Sequence, residues 1–142
     1  MAFRKNKKVE ILRRVPLFTA CTDKELGRIA TLADEIRVDA GKVLTKEGAP
    51  GREFFVIAEG KATASLRKKK LASFGRGDCF GEMSLLDQGP RSATVVSDSS
   101  MTLFVFEPRG FASMLDMTPP VARKILKALA ERLRKAENAP TH

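Results

Sequence analysis

Glycine falls at positions 41, 48, 51, 60, 75 and 77, and between and beyond these glycines the chain carries only short apolar runs. The runs are Val43 and Leu44, then EFFVIAEGKATASL, LASF, SATVVS and TLFVFE, rich in β-branched and aromatic residues. A helix pays for every interior glycine, whereas short strands joined by turns meet this spacing naturally. The pattern predicts a compact antiparallel roll or barrel from Ile36 to Glu107, with Phe54, Phe55, Val56 and Ile57 as its central buried strand. The cationic run Arg67 to Lys70 reads as the solvated tip of a hairpin.

Helical texture flanks the roll. Val9 to Leu12 forms a short helix candidate that Pro16 interrupts. Thr22 and Glu25 have capping-box spacing, and Leu26, Ile29, Ala30, Leu32 and Ala33 follow at helical intervals, which predicts a second helix ending near Glu35. After Pro108 the helical period returns in FASMLDM, and after Pro119 and Pro120 it runs to about Glu137. There Val121, Ile125, Leu129 and Leu133 recur every four residues, and Ala122, Leu126 and Ala136 widen the stripe. That face is expected to bury itself on its own barrel or on a partner.

A length of 142 residues suits one domain of α+β class. The expected organisation is a basic tail over residues 1–8, a single domain over 9–137 and a tail over 138–142. Within the domain, residues 9–35 form N-terminal helices, 36–107 the β-roll and 108–137 the C-terminal helices.

The net charge of +9 is concentrated at Arg4, Lys5, Lys7, Lys8, Arg13 and Arg14 and again from Arg123 to Lys135. This favours anionic partners: nucleic acid, a lipid surface, an acidic protein or a small phosphate ligand. The chain has no Trp or Tyr, and most Phe residues lie in apolar runs rather than among Lys and Arg, which argues against nucleic acid. The basic start is either a tether to another protein or a solubilising tail. The lone histidine, His142, is the last residue, so neither a histidine metal cluster nor a histidine base for a Ser, Cys or Thr nucleophile is available, and no enzymatic activity is expected. No apolar run is long enough for a membrane-spanning helix, and the opening MAFRKNKK lacks a secretory core, so the chain is expected to stay in the cytosol. Cys21 and Cys79 lack metal-type spacing and read as reduced thiols.

The stretch Phe80 to Val95, FGEMSLLDQGPRSATV, carries the chemistry. Gly81 clears the approach to a short helical turn, Glu82 to Leu86, whose first amides can face a phosphate. Leu85 and Leu86 anchor that turn. Arg91 follows a Gln88-Gly89-Pro90 turn and presents a permanently charged planar fork suited to two phosphate oxygens. Glu82 would repel a phosphate, so it suits a hydrogen-bond donor such as a ribose hydroxyl. Singly, Gly81 could be a turn, Glu82 a helix-start charge and Arg91 its ion-pair partner. Together they read as a site for phosphate plus sugar.

The stretch resembles the phosphate-binding cassette of the cyclic-nucleotide-binding domain family through Phe80, Gly81, Glu82, Ser84, Leu85, Arg91, Ser92 and Ala93. VLTKEGAPGREFFVIAEG is similar to the family's first barrel signature through Gly48, Gly51, Phe54 to Ile57 and Gly60, although Thr45 stands where an apolar residue is usual. The resemblance covers roughly Leu12 to Glu137. It implies an eight-stranded antiparallel, jelly-roll-like β-roll with N-terminal helices, a short phosphate-binding helix and two C-terminal helices.

It also implies a ligand, cyclic AMP in preference to cyclic GMP, and no other cofactor. Glu82 then takes the ribose 2′-hydroxyl, Arg91 the cyclic phosphate, and the amides near Gly81, Met83, Ser84 and Ala93 the phosphate oxygens. The helix Val121 to Glu137 becomes a lid. Analogy with related channel domains brings Arg132 to the base, against the alternative of a solvated basic face. Ser92 can reach a guanine edge but does not choose between the bases. With five residues after Glu137, no DNA-reading element is expected. The function implied is a stand-alone sensor that signals to a downstream protein through its lid. The alternative is a protein or nucleic-acid interaction module that uses the basic termini and keeps the cassette as scaffold.

Overall fold

The computed structural model describes residues 3–81 and 89–138. Within these residues, two four-stranded antiparallel sheets pack face to face. The strands are β1 (Asp34–Val38), β2 (Val43–Thr45), β3 (Phe54–Glu59), β4 (Ala62–Leu66), β5 (Lys69–Phe74), β6 (Cys79–Phe80), β7 (Thr94–Ser97) and β8 (Met101–Phe106). The first sheet has the order β1-β8-β3-β6 and the second β2-β7-β4-β5.

The position of β3 explains its unbroken apolar run. It is an interior strand, paired with β8 and β6, and it is buried on both faces. Because side chains alternate along a strand, Phe54, Val56 and Ala58 enter the core shared with the helices, whereas Phe55 and Ile57 enter the core between the sheets. Strand β8 divides its residues in the same way: Phe104 and Phe106 face the helices, and Met101 and Leu103 face the second sheet.

The helical layer consists of α1 (Lys5–Leu12), a 3-10 turn (Pro16–Phe18), α2 (Asp23–Thr31), α3 (Pro108–Met117) and α4 (Pro119–Asn138). Phe18, Leu26, Ile29, Phe111, Val121 and Ile125 supply its buried face. The Phe18 ring lies 6.1 Å from Phe54 and 6.4 Å from Phe106, edge-on to both. Thr22 and Glu25 form the expected reciprocal cap: Thr22 N donates to Glu25 Oε1 at 2.8 Å, and Glu25 N donates to Thr22 Oγ1 at 3.2 Å.

Three expectations from sequence change. The first helix begins at Lys5 rather than Val9, so the basic start is not a free tail. Its anchor is Phe3, whose amide donates to Glu35 Oε1 at 2.8 Å and whose ring stands edge-on to Phe104 at 5.7 Å. Helix α2 stops at Thr31, short of Glu35. The roll accordingly starts at Asp34 rather than Ile36, because Asp34 to Val38 pair in register with β8, a gain that local periodicity does not reveal. The expected hairpin at Arg67 to Lys70 is present, with the turn at Arg67 (φ 52°) and Lys68 (φ 69°). Cys21 and Cys79 are thiols and are not joined in a disulfide.

Candidate functional site

Arg91 is 7% exposed and is held from several sides. Its amide donates to the Ala49 carbonyl at 3.0 Å, and its carbonyl accepts from Gly48 N at 2.8 Å. The loop after β2 is thereby fastened to the segment leading into β7. Its Nη1 donates to the Glu53 carbonyl at 2.9 Å, and its guanidinium carbon lies 5.8 Å from the centroid of the Phe55 ring. Phe55 stacks on Phe80 at 4.9 Å, and Phe80 on Phe74 at 5.8 Å, so a ladder of rings runs away from the guanidinium.

Two glycines make room for this side chain. A Cβ at Gly51 would lie 2.9 Å from the Arg91 guanidinium carbon. One at Gly81 would lie 2.8 Å from Nη1 and 2.7 Å from the Glu53 carbonyl oxygen, and Gly81 has a φ of +86° besides. Among the described residues, no carboxylate forms an ion pair with Arg91. Burial pushes the guanidinium below the usual arginine pKa range, and the nearby charge of Glu53 opposes that shift. A buried cation without a carboxylate partner is costly in isolation and is met most readily by an anion.

Arg91 opens into a cavity of about 350 Å³. Thr45, Gly81, Ser92 and Ala93 line it near the guanidinium; Ala64, Leu71, Phe74, Phe80 and Val95 supply apolar wall. Arg132 reaches it from α4. An apolar cavity of this size with a few convergent polar groups fits a small ligand with one charged end.

Gly81, Arg91, Ser92 and Ala93, close together in the chain, therefore meet Arg132, from much later in it, at one cavity. Glu82, Met83 and Ser84, and with them Leu85 and Leu86, expected from sequence to anchor the turn, lie outside the described residues. The sequence reading missed the Glu53 carbonyl and the Phe55 ring as supports for Arg91. A backbone oxygen carries no residue signal, and Phe55 reads simply as core. Thr45 did carry a signal, as a polar residue in an apolar position: it is 7% exposed, and its hydroxyl donates to the Ala93 carbonyl at 3.0 Å.

Residues 35–118 match the family model described as the cyclic nucleotide-binding domain. The chain belongs to that family. It is 33% identical over 126 residues to the cAMP-dependent protein kinase regulatory subunit of Aspergillus fumigatus, covering 87% of this chain and 30% of the relative. The chain spans about three tenths of the length of the curated relatives it matches.

Among solved structures, the N-terminal domain of a transcriptional regulator from Streptomyces coelicolor A3(2) superimposes with a TM-score of 0.85 at 34% identity, covering 92% of this chain and 94% of that one. The catabolite activator protein of Thermus thermophilus gives a TM-score of 0.76 at 30% identity, over 86% of this chain and 60% of that one. The regulatory domain of Toxoplasma gondii PKA, crystallised with cAMP, gives 0.71 at 29% identity, over 78% and 44%.

In this cyclic nucleotide-binding domain, α4 is anchored by its first half. Val121 and Ile125 are buried, and Lys124 Nζ donates to Glu25 Oε1 at 2.5 Å. That bond, followed by the one from the Thr22 backbone, holds the Glu25 carboxyl below its usual range. The second half is open: residues 131–137 are exposed, Leu133 by 62%, and Arg132 borders the cavity from this stretch. Among the described residues no helix is long and apolar enough to cross a membrane, and no group of three or more His, Cys, Asp or Glu is placed to hold a metal ion.

Proposed function

We propose that this domain is a sensor that binds cyclic AMP, with cyclic GMP the weaker ligand, and does not turn it over. The observation that carries the proposal is Arg91: a guanidinium buried at the mouth of an apolar cavity and lacking a carboxylate partner among the described residues. In this reading Arg91 takes the cyclic phosphate, helped by amides near Gly81, Met83, Ser84 and Ala93, and Glu82 takes the ribose 2′-hydroxyl. The base lies along the apolar wall, with Arg132 stacking over it. The adenine preference draws support from the names of the fungal relatives and from the ligand in the Toxoplasma gondii crystal.

Signalling is assigned to α4, whose residues 131–137 are exposed and bury little core surface. Ligand shifts that equilibrium only if the closed position binds more tightly than the open one. The exposed Leu126 and Leu133 offer the same helix to a second copy or to a downstream protein, and the whole acts in the cytosol.

Calorimetric titration of both nucleotides into the wild-type protein and Arg91→Ala tests the ligand. Removing a desolvated guanidinium from its phosphate costs about 2–5 kcal/mol, roughly 30-fold to several-thousand-fold in affinity. Absence of heat from folded, ligand-free wild-type protein refutes the sensor. Hydrogen exchange with saturating nucleotide tests the lid: unchanged protection over residues 121–137 refutes that part alone.

A further inference from the structure

Two depressions among the described residues lie away from the nucleotide cavity and share no lining residue with it. One, of about 840 Å³, runs between α1 and α2 and is lined by Lys5, Lys7, Arg13, Lys24 and Arg28 together with Glu10 and Asp23. A second, of about 440 Å³, shares Lys7, Glu10 and Arg13 with the first and adds Arg14 and Arg76, so the two adjoin along α1 as a basic trough.

Its two carboxylates are already engaged: Glu10 pairs with Lys7 at 3.3 Å, and Asp23 with Arg13. No described acidic side chain forms an ion pair with Lys5, Arg14, Lys24, Arg28 or Arg76. Several of these cations are nonetheless positioned. The Arg14 stem packs where a Cβ on Gly77 would lie 2.9 Å from its Cδ, and Arg76 Nε donates to the Ala58 carbonyl at 2.9 Å. Lys5 lies across Gly27, its Cε 3.2 Å from where a Cβ would stand.

We infer that this trough docks an acidic segment of a partner protein, a peptide rich in Asp and Glu. An extended or helical peptide fits a concave groove between two helices, and its carboxylates complement cations that no described acid neutralises. Nucleic acid fits worse, since no aromatic ring among the described residues lines the trough to stack a base and two carboxylates sit within it. A lipid surface is flat and does not enter a groove. The trough adjoins the anchor of α4, because Lys24 is next to Glu25, which holds Lys124.

The test is fluorescence anisotropy of a labelled Glu/Asp-rich peptide at low and moderate salt, with wild-type protein, Lys24→Glu/Arg28→Glu and, as a matched charge control, Lys69→Glu/Lys70→Glu on exposed β5. The expected result is salt-sensitive binding that falls about ten-fold or more in the trough variant and less than about two-fold in the control. Lys5→Glu on α1 provides a second trough variant should the first be unstable, and a thermal melt establishes the fold of each. Equal losses in trough and control variants overturn the proposal, as they reduce it to net charge. Absence of peptide binding overturns it too, as does tighter binding to a thymidine oligonucleotide or to anionic-lipid vesicles with the same dependence on Lys24 and Arg28.

Discussion

Replacing Gly81 by alanine tests how the Arg91 slot is built. Two costs combine there. The backbone has a φ of +86°, and holding an L-residue in the left-handed region costs roughly 1–2 kcal/mol. The new Cβ would also stand 2.7 Å from the Glu53 carbonyl oxygen and 2.8 Å from Arg91 Nη1, crowding both atoms of a hydrogen bond now 2.9 Å long. Losing that charge-assisted bond adds about 1.5–3 kcal/mol, reduced by whatever the loop relaxes, so the expected total is roughly 2–4 kcal/mol.

Other glycines separate the two contributions. Gly48 has a φ of +78° and nothing within 4 Å of where a Cβ would stand, so Gly48→Ala should show the backbone cost alone. Gly51 lacks the positive φ but abuts the Arg91 guanidinium, so Gly51→Ala should show the contact alone. Gly75 has neither, and Gly75→Ala should stay within about 0.5 kcal/mol of wild type or gain slightly. Urea unfolding midpoints at constant m-value read all four variants. If Gly81→Ala matched Gly75→Ala, the slot would not be what holds Arg91, and the account of the site would fail.

Phe106→Ala should cost about 3–5 kcal/mol, because the ring is fully buried against Phe18, Phe54 and Phe111; a urea midpoint shift below about 1 kcal/mol would contradict that packing. Glu25→Gln should change the acid limb of the stability curve. The folded pKa of Glu25 is depressed, so its contribution is complete above the unfolded carboxylate's pKa and is lost as pH falls through the folded value. The gap between wild type and variant in a pH series of thermal melts should therefore narrow on acidification, and a gap that widens refutes the assignment. Arg67→Asn/Lys68→Gly should stabilise the β4–β5 hairpin by about 1 kcal/mol, since both residues now sit at positive φ in a two-residue turn; a lower urea midpoint would argue against that geometry.

Much of the architecture was legible without coordinates because its causes are local. The capping pair Thr22 and Glu25, the prolines at 16, 108 and 119, the glycine-punctuated strands and the hairpin at Arg67 and Lys68 each depend on residues close in sequence. The cassette from Phe80 to Val95 likewise carries its family membership in residue types and spacing, and Gly81, Arg91, Ser92 and Ala93 do line one cavity. The misjudged boundaries at Lys5, Thr31 and Asp34 have a non-local cause: Phe3 packs on Phe104, and β1 finds β8, about seventy residues away.

What only the tertiary structure decided is how Arg91 is held and what surrounds it. Composition and spacing supplied a charged fork, but the Glu53 carbonyl, the Phe55 ring and the clearance at Gly51 come from elements that pairing brings together. Thr45 shows the same division: as a letter it departs from an apolar pattern, and in the fold its hydroxyl is satisfied by the Ala93 carbonyl. The basic start of the chain is the clearest case. Charge alone left it open between a tail and a tether, whereas the packing of α1 beside α2 turned it into one wall of a trough, because the position of a charge in space is a property of the fold.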